Sequence, residues 1–259
     1  MSKRWARRGA TGLALAVCLV AQPPARALPF EPGEELKLEV HFLGLTAGEL
    51  TLSVGYAEAN GVESWPLELQ AKTRGLVGAM YSLQETLVSQ FDPKTDSSSG
   101  YDLSSVLNGD PHQEHVRYEG KAAHVHVVRR SGTRDETKPI LAGAMDALAA
   151  VYRLRSVPLD GSGFVVPIFT GKKSWNLEGR VIGRARVQTD AGTFDTVVVR
   201  CRTHFDGKFS SDRGLTVWLS SDARRLPVKL EADFMIGSMK GTLVQYRSGV
   251  VAQNDPPAR

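Results

Sequence analysis

Cysteine is nearly missing from this chain: 259 residues contain two, Cys18 and Cys201. Cys18 lies inside an N-terminal apolar stretch, so once that stretch is set aside a single thiol remains and no intramolecular disulfide can form. Aromatic residues make up 7 % of the chain. Beyond the N-terminus no apolar run reaches the roughly 20 residues that a membrane helix requires. Internal repeats, linkers and low-complexity blocks are absent. So are a Gly-x-Ser-x-Gly elbow, a dinucleotide fingerprint and a compact His-Glu-x-x-His motif, and the carboxylates are scattered. Gly171-Lys172-Lys173-Ser174 imitates a phosphate loop, but Val166 stands where the required earlier glycine should be, and a β-rich stretch follows instead of a helix. These absences remove the common hydrolase, nucleotide and dinucleotide chemistries. No cofactor is implied, and the chain reads as a non-enzyme.

What is present begins at the N-terminus. Lys3, Arg4, Arg7 and Arg8 precede an apolar run from Thr11 to Ala21, and Ala25-Arg26-Ala27 supplies a small-x-small site. This is the layout of a secretory signal cleaved near Ala27, which predicts a periplasmic or otherwise extracytoplasmic protein. Cys18 is a poor lipoprotein box because Val17 is bulky and the thiol sits within the apolar run. Arg7-Arg8 lacks the flanking residues of a twin-arginine signal. Charge depends on this segment as well. The whole chain holds 32 Lys and Arg against 28 Asp and Glu, but residues 1–27 carry five of those cations and no acid. The exported part therefore has 27 cations against 28 acids, a net charge of −1, and the basic footprint expected of a nucleic-acid binder disappears.

Period-two alternation dominates the remainder. Leu36, Leu38, Val40 and Phe42 alternate with charged neighbours, as do Leu50, Leu52, Val54 and Tyr56 with polar ones. Similar patterns recur at Leu67-Leu69, Val125-Val127, Val197-Val199-Cys201, Leu215-Val217-Leu219 and Val228-Leu230-Ala232. Such segments are half-buried strands. Asn60-Gly61 and Asp190-Ala191-Gly192 supply turns between them, and local connections predict an antiparallel meander. One segment, Gly143 to Arg155, has the alanine and leucine content of a helix and stops near Pro158. A shorter helical turn is predicted over Gly75 to Leu83. Residues 28–248 thus form one β-rich domain, a strongly curved sheet, sandwich or incomplete barrel with one main packed helix. Residues 249–259 form a frayed tail.

Two candidate sites follow from the residues. The first is a histidine hairpin. A two-residue turn at Gly120-Lys121 sets His115 opposite His126 and Arg117 opposite His124. His112, His115, His124 and His126 then share the polar face, and His115, His124 and His126, with Glu114 nearby, form a candidate zinc set. The second is a hydrophobic cleft drawn from Trp65, Trp175, Trp218, Phe164, Phe169, Tyr81 and Tyr152, with Tyr152, Arg155 and Trp218 as its candidate ligand-binding residues. Asp222 and Arg225 are read as shaping a turn, and Cys201, on the face of Val197 and Val199, as an inert buried thiol.

Several segments in order resemble the bacterial envelope family known as domain of unknown function 3108: Pro29-Phe-Glu-Pro-Gly33 through Leu36, Gly44-Leu-Thr-Ala-Gly48, the helical Asp146 to Arg155, and Val217-Trp218-Leu219 through Pro227-Val228. The resemblance covers most of the exported chain. It implies an exported β-rich domain and carries no catalytic residues. Compartment, architecture and aromatic content instead give the expected partner: a hydrophobic or envelope-derived ligand or, as the alternative, an envelope protein docked on a sheet edge or face, with an enzyme of unrecognised type as the third reading. No nucleic acid and no transmembrane segment are expected in the mature chain, and oligomeric state is not legible.

Overall fold

In the computed structural model, residues 27–204, 213–234 and 237–249 are described. The proposed signal, Cys18 and all but the start of the tail lie outside them. The described residues form a 15-stranded antiparallel sheet. Its first half comprises β1 (Glu35–Phe42), β2 (Leu45–Val54), β3 (Ala57–Ala59), β4 (Val62–Thr73), β5 (Leu83–Asp92), β6 (Ser97–Leu107), β7 (Asp110–Glu119), β8 (Ala122–Arg129) and β9 (Gly132–Pro139). The second comprises β10 (Phe164–Phe169), β11 (Ser174–Thr189), β12 (Gly192–His204), β13 (Arg213–Ser220), β14 (Pro227–Phe234) and β15 (Gly237–Arg247). Helix α1 (Gly75–Met80) interrupts the link from β4 to β5, and α2 (Ala147–Ser156) separates the halves.

The order along the sheet is β10 through β15, then β1, β2 and β4 through β9, with β3 paired only to β4. The last strand therefore zips against the first, Leu36 facing Tyr246 and Val40 facing Gly241. The two edges, β9 and β10, are the strands that α2 connects. The sheet curls without closing, and the helix lies in the trough between its walls. Buried side chains from β1, β2, β4, β5 and β10 to β14 meet α2 in one core that includes Leu36, Leu52, Leu67, Phe91, Leu148 and Leu219. A smaller cluster, Tyr101, Val116, Val125, Val127 and Phe169, holds the wing of β6 to β8 against the end of β10.

Local chemistry explains these elements. Asn60 and Gly61 adopt φ of 53° and 73°, the double positive-φ turn that asparagine and glycine tolerate, joining β3 to β4. The main helix begins at Ala147, four residues after the predicted start at Gly143. Gly143 has φ of 71°, and Met145 instead bridges in parallel to Ile168, covering the edge of β10. Asp146 is the true cap, its carboxylate accepting from the backbone N–H of Leu148 and Ala149 at 3.0 Å each.

Candidate functional site

The face each residue occupies follows from register. Leu87 pairs with Leu103 and Glu85 with Ser105, while Leu103 pairs with Glu114 and Ser105 with His112. Side chains on paired positions share a face, so Glu85, Leu87, Leu103, His112 and Glu114 all look into the concave side. There they line a cleft of about 360 Å³ with Tyr101, Asp146, Ala147, Phe169, Thr170 and Lys172. One wall is the β5 to β7 sheet, another the first residue of α2, and the roof is the turn between β10 and β11.

The polar groups of the cleft fall into two kinds. Asp146 and Glu114 are committed to the fold. Asp146 accepts from the hydroxyls of Ser89 and Ser98 at 2.6 Å each, besides its two helix-cap bonds. Burial raises its pKa against the lowering effect of these donors. Glu114, also buried, accepts a short bond from the Tyr101 hydroxyl and has His112 Nε2 at 3.5 Å. Burial, with Glu114 second, drives the Tyr101 phenol far above its ordinary range. Gly171 closes over this pair with φ of 70°, and a Cβ there would collide with a Glu114 carboxylate oxygen. The sequence that imitates a phosphate loop is thus the lid on Glu114.

Glu85 is of the other kind. Its carboxyl is largely withdrawn from water, which raises its pKa, and no other interaction shifts it. Its side chain makes no ion pair or hydrogen bond among the described residues. Unmatched and desolvated, it is open to a ligand, as is Lys172 at the rim, exposed and unpaired among the described residues.

The histidine hairpin turns at Gly120-Lys121, with His115 opposite His126 and Arg117 opposite His124, as the sequence indicates. The shared polar face does not survive in full. His112 and Glu114 point inward, while His115, His124 and His126 point outward. An odd spacing from His112 to His115 necessarily separates them across a strand. Each outer imidazole meets its own carboxylate: His115 with Asp102 at 2.7 Å, His126 with Asp135 at 2.6 Å and His124 with Glu119 at 3.1 Å. Arg117 also holds Asp102 through two bonds of 2.9 Å. Among the described residues no three histidine, cysteine or carboxylate groups converge as metal ligands.

Tyr152 and Arg155 do come together, but in the solid core and not in a cleft. Arg155 is 1 % exposed and Glu34 2 %. Two guanidinium bonds of 2.5 and 2.8 Å join them, and Arg155 also donates to the carbonyls of Pro29 and Arg224 at 2.8 and 3.0 Å. The guanidinium lies 5.2 Å from the Phe30 ring and 5.4 Å from that of Tyr152. The buried Tyr152 hydroxyl has no hydrogen-bond partner among the described residues. Trp218 is absent from this group. It lies between the buried Val217 and Leu219 and so projects outward, with Lys229 Nζ 4.2 Å from its ring. The aromatic cleft expected from sequence divides similarly: Trp65 packs edge-on to Phe30 at 6.1 Å, Phe169 lines the cleft and Tyr81 is exposed.

Asp222 accepts from Ser220 and Arg224 within the turn from β13 to β14. Arg225, with φ of 46° and its backbone N–H on the Asp222 carbonyl at 3.2 Å, belongs to the same turn and ties it to the end of α2 by donating to the Val157 carbonyl at 2.5 Å. Cys201 is fully buried, and burial pushes its thiol up to about 12.

Comparison with known proteins bears on the fold. The family model described as Protein of unknown function (DUF3108) matches residues 37–244. A beta-barrel-like protein of domain of unknown function DUF1849 from Brucella abortus superimposes with a TM-score of 0.62 at 10 % identity, covering 86 % of this chain and 99 % of its own. A candidate lipoprotein from Parabacteroides distasonis has a TM-score of 0.38 at 12 % identity, covering 85 % and 97 %. A candidate exported protein of YmcC-like fold from Bacteroides fragilis has 0.34 at 9 %, covering 85 % and 98 %. No curated protein matches.

Proposed function

The chain belongs to the DUF3108 family of proteins of unknown function, and from that premise we propose that it is a non-enzymatic extracytoplasmic protein that holds one small amphipathic, envelope-derived ligand in the concave cleft. The observation that carries this reading is the pairing of an apolar floor, Leu87, Leu103, Ala147 and Phe169, with the unmatched carboxyl of Glu85 in a space of about 360 Å³. Small-ligand sites have this form, mostly apolar with few polar groups that fix orientation. The ligand's apolar part would lie on the floor, and a hydrogen-bond donor or cation would meet Glu85.

Export is supported by the basic, apolar and small-x-small layout of residues 1–27. Binding without turnover is supported by the state of the other titratable groups, since Asp146 and Glu114 are occupied by ground-state hydrogen bonds and Cys201 is sealed in the core. The competing reading, an assembly partner joined through a sheet edge, is disfavoured by the edges themselves. β9 carries Arg134, Asp135, Glu136 and Lys138, and charged edges resist strand addition. Met145 already pairs along β10.

Native mass spectrometry of protein purified from its own envelope tests the proposal. The expected spectrum shows a one-to-one adduct of defined mass that disappears on denaturation. A bare polypeptide mass, from preparations never exposed to detergent, contradicts it.

A further inference from the structure

One end of the curled sheet differs from the other in both apolarity and charge. The turn from β1 to β2, the α1 connection, and the turns β6 to β7, β8 to β9 and β10 to β11 all lie at this end, because alternate connections of an antiparallel meander share an end. Here α1, with sequence Gly-Leu-Val-Gly-Ala-Met, has no charged residue and no buried one. Leu76 is 72 % exposed and Met80 86 %, and Tyr81 follows them into solvent. Leu43, 66 % exposed, and Leu45 project from the adjacent hairpin, which the backbone bond from Arg74 N–H to Ala47 carbonyl at 2.8 Å ties to the start of α1. Large apolar side chains gathered at one tip mark an interaction surface. This six-residue helix has no fully buried residue, and only Val77 and Gly78 are half-buried, so little packing opposes the exposure of its apolar side chains.

Charge identifies the partner. Among the described residues, the connections at this end contain four cations, Arg74, Arg130, Lys172 and Lys173, and no acid. Glu49 and Asp110, on the neighbouring strands, meet Arg74 and Arg130, whereas Lys172 and Lys173 have no ion pair among the described residues. Residues 205–212 add two aspartates and one lysine by sequence, leaving cations in excess. The turns at the opposite end mix both signs, Asp96, Asp190 and Asp222 with Lys94, Lys121, Arg224 and Arg225. An apolar tip whose connections carry four cations, two of them unpaired among the described residues, is complementary to an anionic lipid surface, whose headgroups attract the charges while the acyl region takes the side chains. A protein partner would instead call for a broader, continuous face.

We infer that the α1 end is a membrane-docking tip, in which Leu43, Leu45, Leu76 and Met80 enter the interface of an anionic bilayer. It goes beyond the proposed binding function and stands whether or not the cleft is occupied. It does place the cleft mouth, at Glu85, His112 and Lys172, on the same end as the docked surface.

Vesicle flotation tests it, using residues 28–259 so that the N-terminal apolar stretch contributes no lipid affinity of its own. The protein should float with vesicles containing phosphatidylglycerol and far less with purely zwitterionic ones. The double variant Leu76→Asp, Met80→Asp should reduce the bound fraction at least about tenfold, with an unchanged melting temperature because both positions are exposed. Arg130→Glu, Lys173→Glu should remove the preference for anionic vesicles. Failure to float with either vesicle overturns the inference. Undiminished flotation of the Leu76, Met80 variant overturns it too, by reducing the contact to charge alone. Binding of an acyl probe in the cleft, measured without vesicles, reports separately on the ligand-binding reading.

Discussion

Arg155→Met should destabilise the protein severely while leaving the volume of the site nearly unchanged. In the folded chain the guanidinium is 1 % exposed and joins α2 to two remote segments: the stretch ahead of β1, through Glu34 and the Pro29 carbonyl, and the turn from β13 to β14, through the Arg224 carbonyl. Methionine fills a similar space, so the packing loss is small. The electrostatic loss is not. Glu34 would keep a carboxylate in a site 2 % exposed with no cation beside it, and a stranded member of a buried pair costs about 3–5 kcal/mol. Each carbonyl deprived of its donor adds roughly 1 kcal/mol. The sum, about 5–7 kcal/mol, is comparable to the whole stability of an ordinary domain and corresponds to a fall of roughly 10–28 °C in melting temperature for a chain of this size. Adding Glu34→Met removes the stranded charge and should recover about 2–4 kcal/mol. Urea denaturation of the wild type, both single variants and the double variant gives the coupling directly. A cost below about 1 kcal/mol for Arg155→Met, or a double variant as unstable as the sum of the singles, would refute the reasoning.

Asp146 gives a pH signature. Its carboxyl is raised by burial, so its contribution is most favourable below the ordinary aspartate range and is lost as pH rises through the raised value. The amide of an Asp146→Asn variant does not titrate, so the stability of that variant relative to wild type should improve from pH 4 to pH 7 in parallel denaturation series. Asp146→Ala removes the helix cap and leaves two serine hydroxyls without their acceptor, a loss of about 3 kcal/mol at pH 4 that shrinks toward pH 7, because alanine, like asparagine, does not titrate. Gly171→Ala should cost about 2 kcal/mol in thermal melts, from positive φ and from the collision with Glu114. Cys201, raised by burial to about 12, should ignore an aromatic disulfide reagent at pH 8 until the protein is unfolded. His115→Ala should change stability by no more than about 0.5 kcal/mol, because its pair with Asp102 is exposed and Arg117 keeps that carboxylate matched.

Strand periodicity makes the sheet legible in the sequence, and turn chemistry makes its local connectivity legible: Asn60-Gly61 and Gly120-Lys121 form hairpin turns, and the histidine register follows from the latter. The circular order of the strands is not legible, since nothing local in β15 names β1 as its neighbour. Sequence places the start of α2 too early because Ala144 and Met145 are good helix formers held out of the helix by a tertiary bridge from Met145 to Ile168. Tyr152 and Arg155 attract a ligand-binding reading because a polar residue on an apolar helix invites one. The real partner of Arg155, Glu34, lies 121 positions away, beyond any sequence window. The cleft is hidden for a related reason. Glu85 sits in Gln84-Glu85-Thr86, a polar stretch that looks solvated, and only the pairing of Leu87 with Leu103 turns it inward. Grouping His112 with His115 assigns it to the outer face, although strand parity separates the two.

The proposed cleft can be filled from within. Ala147 is exposed and lies at the first position of α2, on the cleft wall, so Ala147→Trp puts a ring where the ligand's apolar part would lie without disturbing the core. The deciding measurement is an equilibrium titration of a small fluorescent arylalkyl amine, compact enough for a space of about 360 Å³, into residues 28–259 and into this variant. Saturable one-to-one binding to the wild type, weakened at least about 100-fold by Ala147→Trp at an unchanged melting temperature, is the result predicted for a ligand held on Leu87, Leu103 and Phe169. Equal binding by the two proteins, or none by either, would contradict it.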